Sequence, residues 1–436
     1  MRKLNENINV DSKHTFKNSL PEKQLFEDRL SYALDFASRT IRHLIIEGHA
    51  APENAPWFVR SEKIIAEAAF LIVYAKASLS HKKVANAVNT LYKLIEPLAR
   101  SKATLTNICL KPALALDYAH GHICLHYSGY PNSSFDKILE NVLNDEKSIE
   151  RTPYRMLEQE WLFNIWKNTD NKKEIQFWTN LGCLNHSFDF FSESTDGVYA
   201  LTHSVMYTFF NSVTTVKIDM DKLINDLEAL LIIFMDRQDY DIAGELLIAW
   251  TLTKKPFSNL AIFALRCLNY IEKRVGFLPA PNLDLKVIEG KDQKERRTYL
   301  YSLNYHTVFV MGLLSGSLLK NYESIKITQN EPNDFSKLNM LLNCELQKEK
   351  QVHWMEYFSV LNKDQKKELL PWIYQVLLVR KIKLHKYDAV KKMLDFSKGT
   401  SLEGYNITKQ AEELLNRLKY FSIINNDRND LTLQTD

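Results

Sequence analysis

The chain has 436 residues, of which 45% are hydrophobic and 25% charged, with only 12 glycines and 12 prolines. That composition belongs to a folded globular protein and excludes collagen-like, low-complexity and turn-rich all-β chains. Fifty-six Lys and Arg against 53 Asp and Glu leave a net charge of +3, too balanced for a nucleic-acid binder or a membrane-surface protein.

The first 20 residues are polar and aperiodic, with no apolar h-region of a secretory signal. From there the pattern is helical. Leu223, Leu227, Leu230, Leu231 and Phe234 recur at i, i+4, i+7, i+8 and i+11, one face of a 3.6-residue period, with Asp219 as the N-cap. Comparable stretches run from about 22 to 420, including 61–78, 109–128, 153–168, 198–212, 239–253 and 298–321. The breaks are short and carry turn chemistry, as in Gly129-Tyr130-Pro131-Asn132 and Pro279-Ala280-Pro281-Asn282. Short connections favour antiparallel helix hairpins. The expected fold is therefore all-α, either an α/α toroid or an irregular helical solenoid, since no fixed repeat period appears. Two β-branched stretches, Val213–Ile218 and Leu285–Ile288, read as brief strands.

The expected organisation is a polar tail over 1–20, a main helical domain over 21–325, a C-terminal helical subdomain over 333–424 packed on it, and a frayed tail over 425–436. Leu283–Arg297 reads as a charged loop, and the basic run Arg380–Lys392 as a solvated helix face. The longest uncharged run, Gly197–Val216, contains His203 and Asn211 and is a poor membrane span. Five scattered cysteines without CxxC spacing point to a reducing, cytoplasmic setting.

Five segments could carry chemistry. In Asp196-Gly-Val-Tyr-Ala-Leu-Thr-His-Ser-Val-Met-Tyr207, the pair Asp196-Gly197 is expected to cap a helix that aligns Tyr199, His203 and Tyr207 on one face. A polar aromatic stripe in an uncharged segment resembles a pocket wall; a core histidine satisfied by a carbonyl would show the same residues. His306 lies among Tyr299, Tyr301, Tyr305 and Phe309, just before the small-residue stretch Gly312–Gly316. Arg155 and Glu158 stand at i, i+3 behind Pro153, as a surface ion pair or with Glu158 turned inward as acid, base or ligand. Asp241 and Glu245 are at i, i+4, with Asp239 or Asp241 as N-cap explaining the first carboxylate without a site. His122 and His126 have ligand spacing on a helix but lack the glutamate of a zincin, and packing explains them as well. No GxGxxG, GxxxxGK[ST], GxSxG or HExxH occurs, which argues against a nucleotide cofactor.

Together EAAFLIVYA, RTPYRMLEQEW, DGVYALTHSVMY, DYDIAGELLIAW and NYHT resemble an uncharacterised all-helical bacterial domain family, α/α-toroid-like and associated with specialised-metabolite gene clusters. The resemblance covers roughly residues 25–320. In that pattern Tyr-Ala-Leu-Thr-His is usually followed by Thr-Asp-Phe-Gly, whereas this chain has Tyr207-Thr-Phe-Phe-Asn211 and lacks the acid. Two functional readings follow. In the first, a tailoring enzyme acts on a peptide or small metabolite by acid–base or metal-assisted chemistry, with His203, His306, Tyr199, Tyr207 and Glu158 lining a central pocket. The two histidines would hold Zn²⁺ or Fe²⁺. In the second, the chain is a non-catalytic helical scaffold for a protein or peptide partner. The two part on whether His203 and His306 share one site.

Overall fold

The computed structural model describes residues 20–426, apart from 145, 146, 148, 193, 211–215, 329–341, 343, 344, 347, 348 and 350. Within them the chain is all-α, without a strand; one isolated parallel bridge joins Phe257 to Ile327. The helices of the first half are α1 (Lys23–Ile41), α2 (Ser61–Ala75), α3 (Lys82–Ala99), α4 (Lys102–Leu110), α5 (Ala115–Tyr127), α6 (Ser133–Leu143), α7 (Pro153–Lys167), α8 (Lys172–Leu181) and α9 (Thr195–Phe209). Those of the second half are α10 (Met220–Asp236), α11 (Tyr240–Thr253), α12 (Asn259–Val275), α13 (Gln293–Asn321), α14 (His353–Ser359), α15 (Lys363–Glu368), α16 (Leu370–Lys383), α17 (Tyr387–Ser397) and α18 (Asn406–Asn426).

Local chemistry sets the boundaries. Asp219 caps α10 by accepting from the Lys222 amide at 3.0 Å, and the five periodic residues of that helix are all buried. Ser194, rather than Asp196, caps α9 through the Gly197 amide at 3.1 Å; Asp196 sits in the first turn at the positive helix end. The charged stretch expected as a loop holds a 3₁₀ turn at Leu285–Ile288, not a strand, and then the start of α13. A capping box between Asp292 and Glu295 starts α13 five residues before the expected 298. Residues 216–218 are not a strand either, and 211–215 lie outside the described residues, as do 1–19 and 427–436 of the tails expected over 1–20 and 425–436, and most of 329–350; residues 425 and 426 are the end of α18.

Six helices pack in a closed cycle of contacts: α2 on α5, α5 on α7, α7 on α9, α9 on α11, α11 on α13, and α13 back on α2. The other helices pack against members of this cycle or against one another, with α1 lying along α13 and α3, and α10 along α11 and α12. Close approach between α2 and α13 depends on Gly316, whose missing Cβ would stand 2.8 Å from the Tyr74 carbonyl oxygen. Arg29 of α1 crosses to α12, where its Nε donates to Glu272 at 2.9 Å.

The C-terminal helices continue the same apolar core, since Trp354, Trp372 and Tyr374 are fully buried in it. Trp354 Nε1 and Arg380 both donate to Asp236 at the end of α10, at 2.9 Å and 2.7 Å. Lys381 is buried against Glu349 at 2.9 Å. The first two residues of the basic run are thus interior ion pairs rather than a solvated face; Lys383 to Lys386 are exposed as expected. No described helix is long and apolar enough to cross a membrane.

Candidate functional site

Every helix of the closed cycle contributes a polar side chain to one region. Five of them do so from their first three turns: Glu67 on α2, His120 on α5, Arg155 and Glu158 on α7, Tyr199, Thr202 and His203 on α9, Asp241 and Glu245 on α11. The longer α13 supplies Tyr305 and His306 from its fourth turn.

Asp239 caps α11, its carboxylate accepting from the Ile242 amide at 3.3 Å. Asp241 is thereby released from capping and lies buried in the first turn, one turn before the equally buried Glu245. His306 stands between these carboxylates and Glu67: its Nδ1 is 3.0 Å from Glu67 Oε2, its Nε2 3.4 Å from Asp241 Oδ2 and 3.7 Å from Glu245 Oε1. Burial alone would push the His306 pKa down, but Asp241 and Glu67 hold it well above its ordinary value. Burial works against Glu67 ionising too, and His306 overcomes it, keeping the carboxyl low. Burial pushes the Asp241 carboxyl up to about 6, with Glu245 adding to the rise and the charge of His306 opposing it.

His203 approaches the same group from the other side, with Nδ1 3.6 Å from Glu245 Oε2. His203 and His306 therefore meet across a single carboxylate. His203 Nδ1 is also 2.8 Å from the Tyr199 carbonyl oxygen. A carbonyl can only accept, so Nδ1 carries the proton and, in the neutral ring, Nε2 keeps its lone pair. Thr202 donates to Glu245 Oε2 at 2.7 Å and Tyr199 to Asp241 Oδ2 at 2.9 Å, fixing both carboxylates in place. The His203 and His306 side chains remain 24% and 27% accessible. That retained surface leaves both rings within reach of water.

Beside it, Arg155 and Glu158 form the expected pair at 2.7 Å, but Glu158 is buried rather than at the surface, and Tyr207 donates to its other oxygen at 3.0 Å. Burial opposes ionisation of Glu158, and His120 and Arg155 keep its pKa low. Burial and the neighbouring carboxylates raise the pKa of Tyr199 and Tyr207, so both act as neutral donors. A cleft of about 330 Å³ opens against Trp161, Asn164, Tyr207 and Thr208; the buried Trp161 Nε1 and Asn164 Nδ2 have no hydrogen-bond partner.

All five residues singled out as catalytic lie in this region, whereas the histidine triple of α5 does not act together. His122 is buried between Arg100, at 3.0 Å from Nδ1, and Asp136, at 2.9 Å from Nε2, and stacks on Phe135. Trp166 also donates to that Asp136 oxygen, at 2.7 Å, so this cluster is a packing network. Sequence reasoning missed Glu67 and set aside Asp241 and Glu245. The available signal was a carboxylate set among apolar residues within a helix, as in Ile64-Ile-Ala-Glu-Ala-Ala-Phe70 and Asp241-Ile-Ala-Gly-Glu-Leu-Leu247. Of the possible ligand groups, Asp241, Glu245 and His306 have donor atoms within 4.8 Å of one another.

A family model described as a domain of unknown function (DUF6895) matches residues 30–316, a span from within α1 to within α13 that holds every residue of this site. Comparison with curated proteins and with solved structures found no match.

Proposed function

The chain belongs to that family, and we propose that it is an enzyme acting on a peptide or small metabolite by proton transfer in the recess enclosed by α2, α5, α7, α9, α11 and α13. The observation that carries this reading is the state of His203. Its Nδ1–H is committed to the Tyr199 carbonyl, its Nε2 is left as a base, and the Glu245 carboxylate lies behind it to stabilise the imidazolium once a proton is taken. His306 supplies a fixed positive charge where negative charge develops on the substrate. Tyr199, Tyr207 and Glu158 position these groups. The adjoining cleft has the volume of a small-ligand site.

The closed contact cycle supports an α/α toroid as the architecture, with the site at its centre. The described cysteines are free, which supports a cytoplasmic location. A bacterial source and a substrate from specialised metabolism rest on the sequence resemblance alone.

The test is mass spectrometry of peptide and small-metabolite pools incubated with the wild type and with His203→Gln. A compound converted by the wild type, and at least about 100-fold more slowly by the variant, supports the enzyme reading. A compound bound equally by both and recovered unchanged replaces it with the scaffold reading.

A further inference from the structure

The same recess holds a group of donors that takes in Glu245 and His306 and adds Asp241, which proton transfer through His203 does not use. Nε2 of His306 faces Asp241 Oδ2 at 3.4 Å and Glu245 Oε1 at 3.7 Å. Ligands bound at about 2.0–2.2 Å around one tetrahedral ion lie about 3.3–3.6 Å from one another, so these separations are close to the edges of a coordination polyhedron. A second observation points the same way. Asp241 is 5% exposed, and beside the Oδ2 that faces His306 its Oδ1 has no hydrogen-bond partner, a buried carboxylate oxygen left unsatisfied on a residue of the cluster.

We propose that Asp241, Glu245 and the Nε2 of His306 bind a divalent transition-metal ion, of the class of Zn²⁺, Mn²⁺ or Fe²⁺. The surroundings are those such ligands require. His306 Nδ1 lies 3.0 Å from Glu67, the carboxylate–histidine relay that orients a metal-bound imidazole and increases its basicity. Tyr199 and Thr202 donate to the two acidic ligands at 2.9 Å and 2.7 Å. One imidazole with two carboxylates suits these ions better than Ca²⁺, which takes six to eight oxygens. The accessible faces of His306 and His203 leave room for a water or substrate atom as a further ligand.

Two other clusters have comparable spacing but lack this support. In His122–His126–Asp136, Arg100 holds His122 Nδ1 and the Asp136 oxygen that faces His122 Nε2 also accepts from Trp166, leaving only His126 Nδ1 without a hydrogen-bond partner. In His43–Glu47–His49 the glutamate is 55% exposed and His43 Nε2 is bound to Thr298.

The proposal does not rest on the enzyme reading, since an ion held for structure alone would titrate identically; its failure would leave metal-free proton transfer intact. The experiment is calorimetric titration of the chelator-stripped full chain with ZnCl₂ and with MnCl₂ at pH 7, in two buffers of different ionisation enthalpy. One ion per chain with micromolar or tighter affinity is expected, together with release of a proton from His306 Nε2. Asp241→Asn and Glu245→Gln, each checked for native circular dichroism, should weaken binding at least 100-fold. Glu67→Gln keeps all three ligands and should weaken it about 10- to 100-fold; it decides the matter if either ligand variant fails to fold. Affinity unchanged in these variants places the ion elsewhere and overturns the proposal, as does a wild type that binds no tighter than millimolar.

Discussion

His203 and Glu245 show how single residues are committed to one task by their immediate neighbours. Thr202 donates to Glu245 Oε2 at 2.7 Å in a fully buried setting. Thr202→Val keeps the shape and removes the donor, leaving that oxygen to His203 alone. The expected cost is about 1–3 kcal/mol in a urea melt, and equal stability would mean that the hydroxyl does not hold the carboxylate. Asp239 shows the same logic at the start of α11, where its cap frees Asp241 for the site. Asp239→Ala should cost about 1 kcal/mol by the same measurement. At this scale half of the site was legible. The aromatic spacing of Tyr199, His203 and Tyr207 marked α9 as a lining helix. Asp241 was not distinguishable from Asp239, because either carboxylate can cap and only the backbone conformation decides which one does.

Among the elements, α13 sets the limits. It is 29 residues long, touches α1, α2 and α11, and brings His306 to the site while Gly316 allows it against Tyr74. Gly316→Ala would drive a methyl group into the Tyr74 carbonyl, which belongs to a packed helix and cannot move aside alone. The expected loss is about 1–3 kcal/mol, read as a lower melting temperature, whereas Gly404→Ala, with open space around it, should leave the melt unchanged. Helix existence was readable throughout from apolar periodicity. Boundaries failed where charge concealed a helix, as in Gln293–Arg297.

For the whole molecule, the core runs without a break from α1 into the C-terminal helices, and α10 is its junction. Glu228 lies buried on that helix, and burial raises its carboxyl pKa to about 7, with a Ser258 hydrogen bond opposing. In the unfolded chain the same group titrates near 4.5, so between about pH 4.5 and 7 the folded chain binds the extra proton and loses stability as pH rises. Glu228→Gln removes this loss. It should be more stable than the wild type at pH 8, by on the order of 2–3 kcal/mol, with the difference vanishing near pH 4.5. Thermal melts at both pH values decide it, and equal melts at pH 8 would show that the carboxylate is accommodated. How the helices close on one another was not legible at this scale, because Glu67 and His306 are 239 residues apart and nothing local encodes their meeting.

That separation has a consequence for synthesis. At about 5–20 residues per second, α2 leaves the ribosome roughly 10–50 seconds before the part of α13 that it packs against. Throughout that interval Leu71 and Tyr74, which pack against Gly312 and Gly316 of α13, lack their final cover. Nascent chains stalled before residue 293 should therefore be targets for holding chaperones and sensitive to protease, and those stalled well beyond 321 should be neither.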